Sequence, residues 1–232
     1  MEVHQMKMKG KLRRFASGWL GLILIFAAIY VVIEGVTLII KSNLNVVDPV
    51  ATIHCDVKHF LKLKTTINVD NDSDDSVDGI ITGDFAFGLF KDVHDPLDFK
   101  NNDGSYIGGA SDTYQLITQD DHTIVDYVNG VTTVMRGQFK LAGEKYKIFD
   151  AEGQYIAYMD VGVTDTFGGL YDPNGELWAT YKAHFLFKDY DITIGTNAKL
   201  PNETITLLFA SYYSDHAAAL RELFSSHSSN EK

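Results

Sequence analysis

The sequence TITLLFASYYSDH, residues 204–216, decides what kind of fold the rest of the chain can form. It begins a predicted helix, residues 203–224, whose first half is apolar nearly all round because Leu207 and Tyr213 widen the apolar face. A helix without a polar face has to be buried on every side. Its apolar stretch of roughly ten residues is too short to cross a membrane. We therefore expect this helix to fill the inside of a sheet that has closed around it.

The residues before this helix alternate between apolar and polar side chains, which is typical of antiparallel strands with one face in solvent. Turns that end in glycine separate these strands, and their glycines recur 26, 23 and 22 residues apart. This weak repeat is also what any β-meander would show. The pattern predicts a mainly β domain over residues 59–225. The alternating stretches are Leu61–Val69, Phe85–Leu89, Tyr114–Thr118, Tyr146–Ile148, Tyr155–Val161 and Tyr190–Ile194.

Three stretches together resemble the tubby-like barrel, a superfamily of tubby C-terminal domains, phospholipid scramblases and LURP-one-related proteins. They are KYKIFDAEGQYIAYMD (145–160), GGLYDPNGELWATYKAHFLFKDYDITI (168–194) and the helix at 204–216. The resemblance covers residues 80–225. It implies a closed antiparallel barrel of twelve strands wrapped around the C-terminal helix.

The chain departs from that family in two ways. Its apolar N-terminal segment is not where the best-known members carry their membrane attachment. The basic cluster with which tubby domains bind phosphoinositides has no counterpart, because Lys182, Lys188 and Lys199 are scattered along the sequence. Phosphoinositide binding is therefore not expected here.

The apolar segment FASGWLGLILIFAAIYVVIEGVTLII, residues 15–40, predicts a single transmembrane helix. Phe15 to Ile33 are nineteen residues without a charge, enough to span a hydrocarbon core of ~30 Å. A buried core helix is one alternative. A cleaved signal peptide is another, but its apolar region would be shorter, and no Ala-x-Ala-like cleavage site follows Ile40. We expect the segment to be retained as an anchor.

The charges around this segment predict its orientation. Residues 1–14 carry five basic residues and one acidic residue, whereas Lys41 is the only basic residue between Ile40 and Lys58. Basic flanks tend to stay in the cytoplasm. We expect a cell-membrane protein with residues 1–14 as a cytoplasmic tail and residues 42–232 outside. Residues 41–58 would be a tether, and residues 226–232 a disordered tail.

The composition of the chain after residue 41 excludes nucleic acid as a partner. Residues 1–41 hold six of the 20 basic and two of the 31 acidic residues, so the remainder has 14 basic against 29 acidic residues, a net charge of −15. Such a surface repels polyanions. The single cysteine, Cys55, cannot form an internal disulfide and is expected to be a buried or incidental thiol. Lack of disulfides suits a bacterial surface.

An acidic segment, VDNDSDDSVDGII, is the one candidate metal site. Its oxygen-bearing side chains alternate as in a calcium-binding loop. Asp75 replaces the usual turn glycine, however, and Ile81 stands where a bidentate glutamate belongs. A solvated acidic loop is the favoured interpretation, with weak calcium binding as the alternative. The candidate ligands are Asp70, Asp72, Asp74, Ser76 and Asp78.

Catalytic motifs are missing from the sequence. It contains no Gly-x-Ser-x-Gly, no His-Glu-x-x-His, no Cys-x-x-Cys and no phosphate-binding glycine loop. Among the dispersed histidines, His122 is predicted to lie in a polar turn and His216 in the core, while His184 could face either way. We expect no catalytic residues, no bound cofactor and no enzyme activity.

Two hypotheses about function remain open. The first is a membrane-anchored, non-catalytic β-domain that binds or scaffolds a protein or lipid partner at the outer face of the membrane. The second is a lipid-handling protein of the scramblase type, in which the acidic loop responds to calcium.

Overall fold

The computed structural model describes residues 39–58, 64–71, 76–84, 97–113, 121–138, 144–162, 166–184 and 189–215, with single positions between 26 and 36. The chain divides into two compact units, residues 1–40 and 41–232. Most of the predicted anchor, residues 15–40, lies outside the described residues. Those of its positions that are described are helical and exposed. Within the described residues, no helix has the length and apolar character needed to span a membrane.

The second unit is a closed antiparallel barrel. In the part of the chain that the structure describes, twelve strands each pair with the next, and β1 pairs with β12 to close the ring. The prediction of a closed antiparallel barrel is confirmed. The strands are β1 (Pro49–Lys58), β2 (Lys64–Asp70), β3 (Gly79–Asp84), β4 (Leu97–Asn101), β5 (Tyr106–Thr113), β6 (Asp121–Asp126), β7 (Val131–Gln138), β8 (Glu144–Asp150), β9 (Tyr155–Val161), β10 (Phe167–Tyr171), β11 (Leu177–Ala183) and β12 (Asp189–Gly195).

Alternation along each strand decides which side chains face the inside. In β12, Tyr190, Ile192 and Ile194 are buried, while the residues between them are only half-buried. Successive side chains of a strand point to opposite faces, so one set fills the barrel and the other set covers it. The same pattern in β1 buries Ile53, Cys55 and Val57.

The tether predicted for residues 41–58 has to be corrected. Residues 49–58 form β1, which pairs along its length with β12 and over its second half with β2. The strand begins at Pro49, whose missing N–H is tolerated at the first position of a strand. A barrel closes only when both of its outermost strands find a partner, so β1 is part of the domain itself.

Four hairpin turns share one backbone conformation at a glycine. Gly104, Gly130, Gly153 and Gly175 all have positive φ, between 65° and 92°. Glycine adopts this conformation without the clash of a Cβ atom. In the turn after β10, the Asp172 carboxylate also accepts hydrogen bonds from the backbone N–H groups of Asn174 and Glu176, both at 2.8 Å. The predicted turn repeat therefore corresponds to equivalent hairpin ends of the barrel.

The C-terminal helix, Asn202–Asp215, is enclosed by the strands. Its apolar residues from Ile205 to Tyr213 are fully buried on all sides. The Phe209 ring stacks on Tyr181 of β11 at 5.5 Å, and the Tyr213 ring stacks on Tyr190 of β12 at 4.8 Å between centroids. Such aromatic pairs stabilise a core beyond simple area burial. Residues 216–224 of the predicted helix, with His216, lie outside the described residues.

Two polar contacts fix this helix against β6. The buried Asp126 carboxylate accepts a hydrogen bond from Thr204 Oγ1 at 2.8 Å, and Ser211 Oγ lies 3.0 Å from His122 Nδ1. The prediction that His122 lies in a polar turn is wrong. It occupies an inward position of β6 and is 1% exposed, because the alternation of this strand places it between the helix and the Tyr146 ring.

Candidate functional site

The inside of the barrel is taken up by the C-terminal helix, so groups that could meet a ligand lie on the outer face. In many β-barrels the interior holds the ligand. Here fully buried side chains of the helix, such as Leu208 and Phe209, occupy that space. A binding site built on this barrel is therefore expected outside, where the strands present their second set of side chains.

A cluster of two histidines and one aspartate stands out on this face. Asp191 Oδ1 lies 2.7 Å from His54 Nδ1, and Asp191 Oδ2 lies 2.7 Å from His184 Nε2. The three side chains are 30%, 37% and 38% exposed in the order Asp191, His54, His184. One ligand atom from each lies within 4.8 Å of the other two. We call these three residues the seam cluster, because His54 and Asp191 lie where the first strand pairs with the last strand of the barrel.

Strand register creates the seam cluster. His54 of β1 is directly opposite Asp191 of β12. His184 follows the last residue of β11, and its N–H donates to the Asp189 carbonyl at 2.9 Å, which extends the ladder by one residue. His184 therefore stands diagonally across from Asp191, within reach of a long side chain. Three adjacent strands fix the three side chains on one rigid surface.

Further carboxylates surround the seam cluster. Asp56 of β1 is directly opposite Asp189 of β12, and Asp70 of β2 is directly opposite His54 on the other side of β1. Like charges placed opposite each other destabilise a sheet. Burial lowers the pKa of His54, but the hydrogen bond and charge of Asp191, helped by Asp189 and Asp56, outweigh it, so the pKa is raised above 6.5. The cluster is therefore an anionic spot that attracts positive charge.

Cys55 lies beside His54 in the sequence but does not belong to the site. Its thiol faces the core and is fully buried. Burial raises the pKa of this thiol to about 12. A buried thiol that stays protonated is neither a nucleophile nor a metal ligand.

The acidic loop is only partly described. Asp72 and Asp74, two of its five predicted calcium ligands, lie outside the described residues. Asp70 ends β2 and is buried, while the Asp78 carboxylate accepts a hydrogen bond from the Asn71 N–H at 2.8 Å. Asp78 thus closes the base of the loop, and Ser76 lies just before it. Calcium binding by this loop stays a prediction.

A shallow groove of about 140 Å³ crosses the outer face of β4, β5 and β6. Its exposed aromatic residues are Tyr106 and Tyr127, at 43% and 63%, whose ring centroids lie 5.3 Å apart. The Tyr106 hydroxyl donates to Asp98 Oδ1 at 2.8 Å. A Cβ atom at Gly109 would lie 2.9 Å from that hydroxyl, so the glycine makes room for the tyrosine. We call this feature the tyrosine groove.

No protein-family model, curated protein or solved structure was found to match the chain. The barrel and its enclosed helix agree with what the tubby-like resemblance implied for the fold. Membership of that superfamily stays a prediction.

The sequence alone does not reveal the seam cluster. The tether predicted for residues 41–58 includes His54, although Ile53, Cys55 and Val57 around it alternate as in a strand. The sequence does not fix which way His184 faces, and Asp191 is one of many acidic residues. Their partnership spans 137 residues of sequence between His54 and Asp191. It depends on closure of the barrel, which no local pattern specifies.

Proposed function

We propose that this chain is a non-catalytic binding protein, anchored to the cell membrane by residues 15–40, whose barrel binds a partner through its outer face. The observation that carries the proposal is the filling of the barrel by its own C-terminal helix. An interior occupied by Leu208, Phe209 and their neighbours leaves the outer face for recognition.

The tyrosine groove supports this proposal. Exposed tyrosines are favoured at recognition surfaces because a large ring is buried on binding while its hydroxyl keeps a hydrogen-bond partner. Tyr106 is held in place by Asp98 and backed by Gly109. Preorganisation of this kind lowers the entropy cost of binding. Tyr127, in the turn after β6, is the more exposed of the pair and is the natural first contact.

A photocrosslinking experiment in cells tests the proposal. The full chain carries a photoreactive phenylalanine analogue in place of Tyr127, and a matched variant carries it in place of Tyr155, which is also exposed and lies at the start of β9. We expect a discrete crosslinked species from position 127 and a much weaker one from position 155. Equal labelling from both positions, or none, contradicts recognition through the tyrosine groove.

A protease experiment tests the anchor and its orientation. Protease added to intact cells or spheroplasts should digest residues 42–232, because the five basic residues before the anchor favour a cytoplasmic N-terminus. Protection of that domain, with digestion of residues 1–14, contradicts the proposed topology. The scramblase alternative makes a different prediction, namely calcium-dependent lipid flux in proteoliposomes that is lost when Asp72 and Asp74 are both changed to Ala.

A further inference from the structure

We infer that the seam cluster is a binding site for one divalent transition-metal ion of the zinc class, held by His54, His184 and Asp191. This inference goes beyond the proposed function and does not depend on the anchor or on the tyrosine groove. It rests on the donor atoms, their spacing and the charge around them.

The donor atoms determine which ions the site favours. Two imidazole nitrogens and one carboxylate oxygen suit zinc and its transition-metal neighbours, whereas calcium and magnesium prefer oxygen ligands alone. Zinc commonly takes three protein ligands and keeps a fourth position for water or another molecule. The seam cluster supplies three ligands, and its partial exposure leaves that fourth position open to solvent.

The ligand atoms are close enough together for side-chain rotation to bring them around one ion. Each Asp191 oxygen lies 2.7 Å from one imidazole nitrogen. Ligands around a tetrahedral zinc ion with bonds of about 2.0–2.1 Å are separated by ~3.3 Å. Binding therefore requires each imidazole nitrogen to move about 0.6 Å further from its Asp191 oxygen, and the ligand atoms, now within 4.8 Å of one another, to reach a common spacing around the ion.

The surrounding charge favours occupancy by a cation. Asp56 and Asp189 face each other next to the seam cluster, and Asp70 lies across from His54. Lys182, which is opposite Asp191 on β11, is the basic residue brought closest by register, and it is exposed. A divalent ion offsets the repulsion among these carboxylates.

The experiment uses the full chain in detergent, prepared without a polyhistidine tag and stripped with a chelator. Zn²⁺ is titrated by calorimetry, and Co²⁺ is added separately as a visible-absorbance probe of the ligands. We expect one ion per chain. Loss of an outer hydrogen-bond partner of a ligand typically weakens binding about 10–100-fold, so loss of a ligand itself should cost at least as much. His54→Gln, His184→Gln and Asp191→Asn should each show this loss.

Three controls make the result specific. Asp103→Asn, which removes an exposed carboxylate in the turn after β4, should bind zinc like the unmodified chain. Asp72→Ala with Asp74→Ala tests the acidic loop as an alternative source of ligands, and zinc binding should survive this double substitution. Since the seam-cluster side chains lie on the surface, the three ligand variants should melt cooperatively without metal.

Clear outcomes would overturn the inference. Lack of Zn²⁺ binding by the stripped chain at millimolar concentration means that the seam cluster is only a hydrogen-bonded group. Unchanged binding in all three ligand variants places the ion elsewhere. Displacement of Zn²⁺ by an equal concentration of Ca²⁺ identifies a carboxylate site instead. Failure of the protease or crosslinking experiments leaves these readings unaffected, so the two proposals are tested separately.

Discussion

His54 and Cys55 are neighbours in β1, yet they belong to two very different regions of the molecule. Cys55 lies on the inner face of the barrel, where burial raises the pKa of its thiol to about 12. His54 lies on the outer face, where Asp191 raises the pKa of its imidazole despite the cost of partial burial. Burial therefore decides the pKa on the inner face of the barrel, and a neighbouring charge decides it on the outer face.

On the inner face, the packing of side chains by volume and shape determines stability. Helix and strands meet there through aromatic rings and aliphatic side chains, with a few buried polar contacts such as that between Asp126 and Thr204. The outer face is dominated by charge, with carboxylates, imidazoles and exposed tyrosines. Substitutions on the inner face should therefore change folding, and those on the outer face should change binding. The following predictions test this division, from the largest expected effect to the smallest.

Substitution of Leu208 should have the largest effect, because this residue lies on the enclosed helix. Leu208→Asp buries an unpaired charge and should prevent folding. Leu208→Ala should lower the free energy of unfolding by ~2–5 kcal/mol through the cavity that it leaves. Leu208→Met keeps the volume and should cost less than ~1.5 kcal/mol. Circular dichroism with a thermal melt measures all three, and an unshifted melt for Leu208→Asp is incompatible with an enclosed helix.

Thr204→Val should have the next largest effect. It removes the hydrogen bond to the buried Asp126 carboxylate while keeping the side-chain shape, and a buried group that loses a partner costs ~1–3 kcal/mol. Thr206→Val is the matched control, since its hydroxyl donates to the Asn202 carbonyl of its own helix. Urea denaturation should show a smaller loss for the control. Equal losses would mean that Asp126 does not fix the helix.

Arg136→Gln should have a small effect, because this residue lies on the outer face. Its Nε lies 3.0 and 3.2 Å from the two oxygens of Asp121. Ion pairs at this degree of exposure contribute ~0.2–1 kcal/mol. The difference from the unmodified chain in urea denaturation should shrink further at high salt, where exposed charges are screened. A loss as large as that of Thr204→Val would contradict the division between the two faces.

Treatment with a thiol reagent should have the smallest effect. In the folded protein at pH 8, we expect no reaction at Cys55. A thiol with a pKa of about 12 remains protonated at that pH, and its burial also blocks the reagent. Addition of denaturant should restore full reaction, as measured by absorbance with a chromogenic disulfide. Rapid reaction without denaturant would show that β1 does not form part of the barrel wall.

Much of the barrel could be predicted because the signals are local. The strands β9 and β12 alternate without interruption, and the apolar helix has no plausible place except inside. By contrast, β10 reads Phe-Gly-Gly-Leu-Tyr and has no alternation. Larger residues in place of its glycines would displace neighbouring side chains, since a Cβ atom at Gly168 would lie 2.8 Å from Val161 Cγ2, and one at Gly169 would lie 2.8 Å from the Tyr171 hydroxyl.

The seam cluster could not be predicted in the same way. The sequence around each of its members contains no metal-binding motif. The residues next to His54 do not indicate that it pairs with Asp191. The pairing of β1 with β12 is a property of the closed ring and is set by the number of strands between them. Long-range pairs of this kind become visible only when the whole topology is known.

The position of the helix after β12 in the sequence has a consequence for biogenesis. The barrel wall is complete in sequence at Gly195, before the element that fills it has been synthesised. A nascent chain of strands alone would expose its inner apolar face, and contacts between distant segments form slowly. We therefore expect the wall to close around the helix only after residues 202–215 have been synthesised. Premature termination after β12 should yield an aggregating product in place of a smaller folded domain.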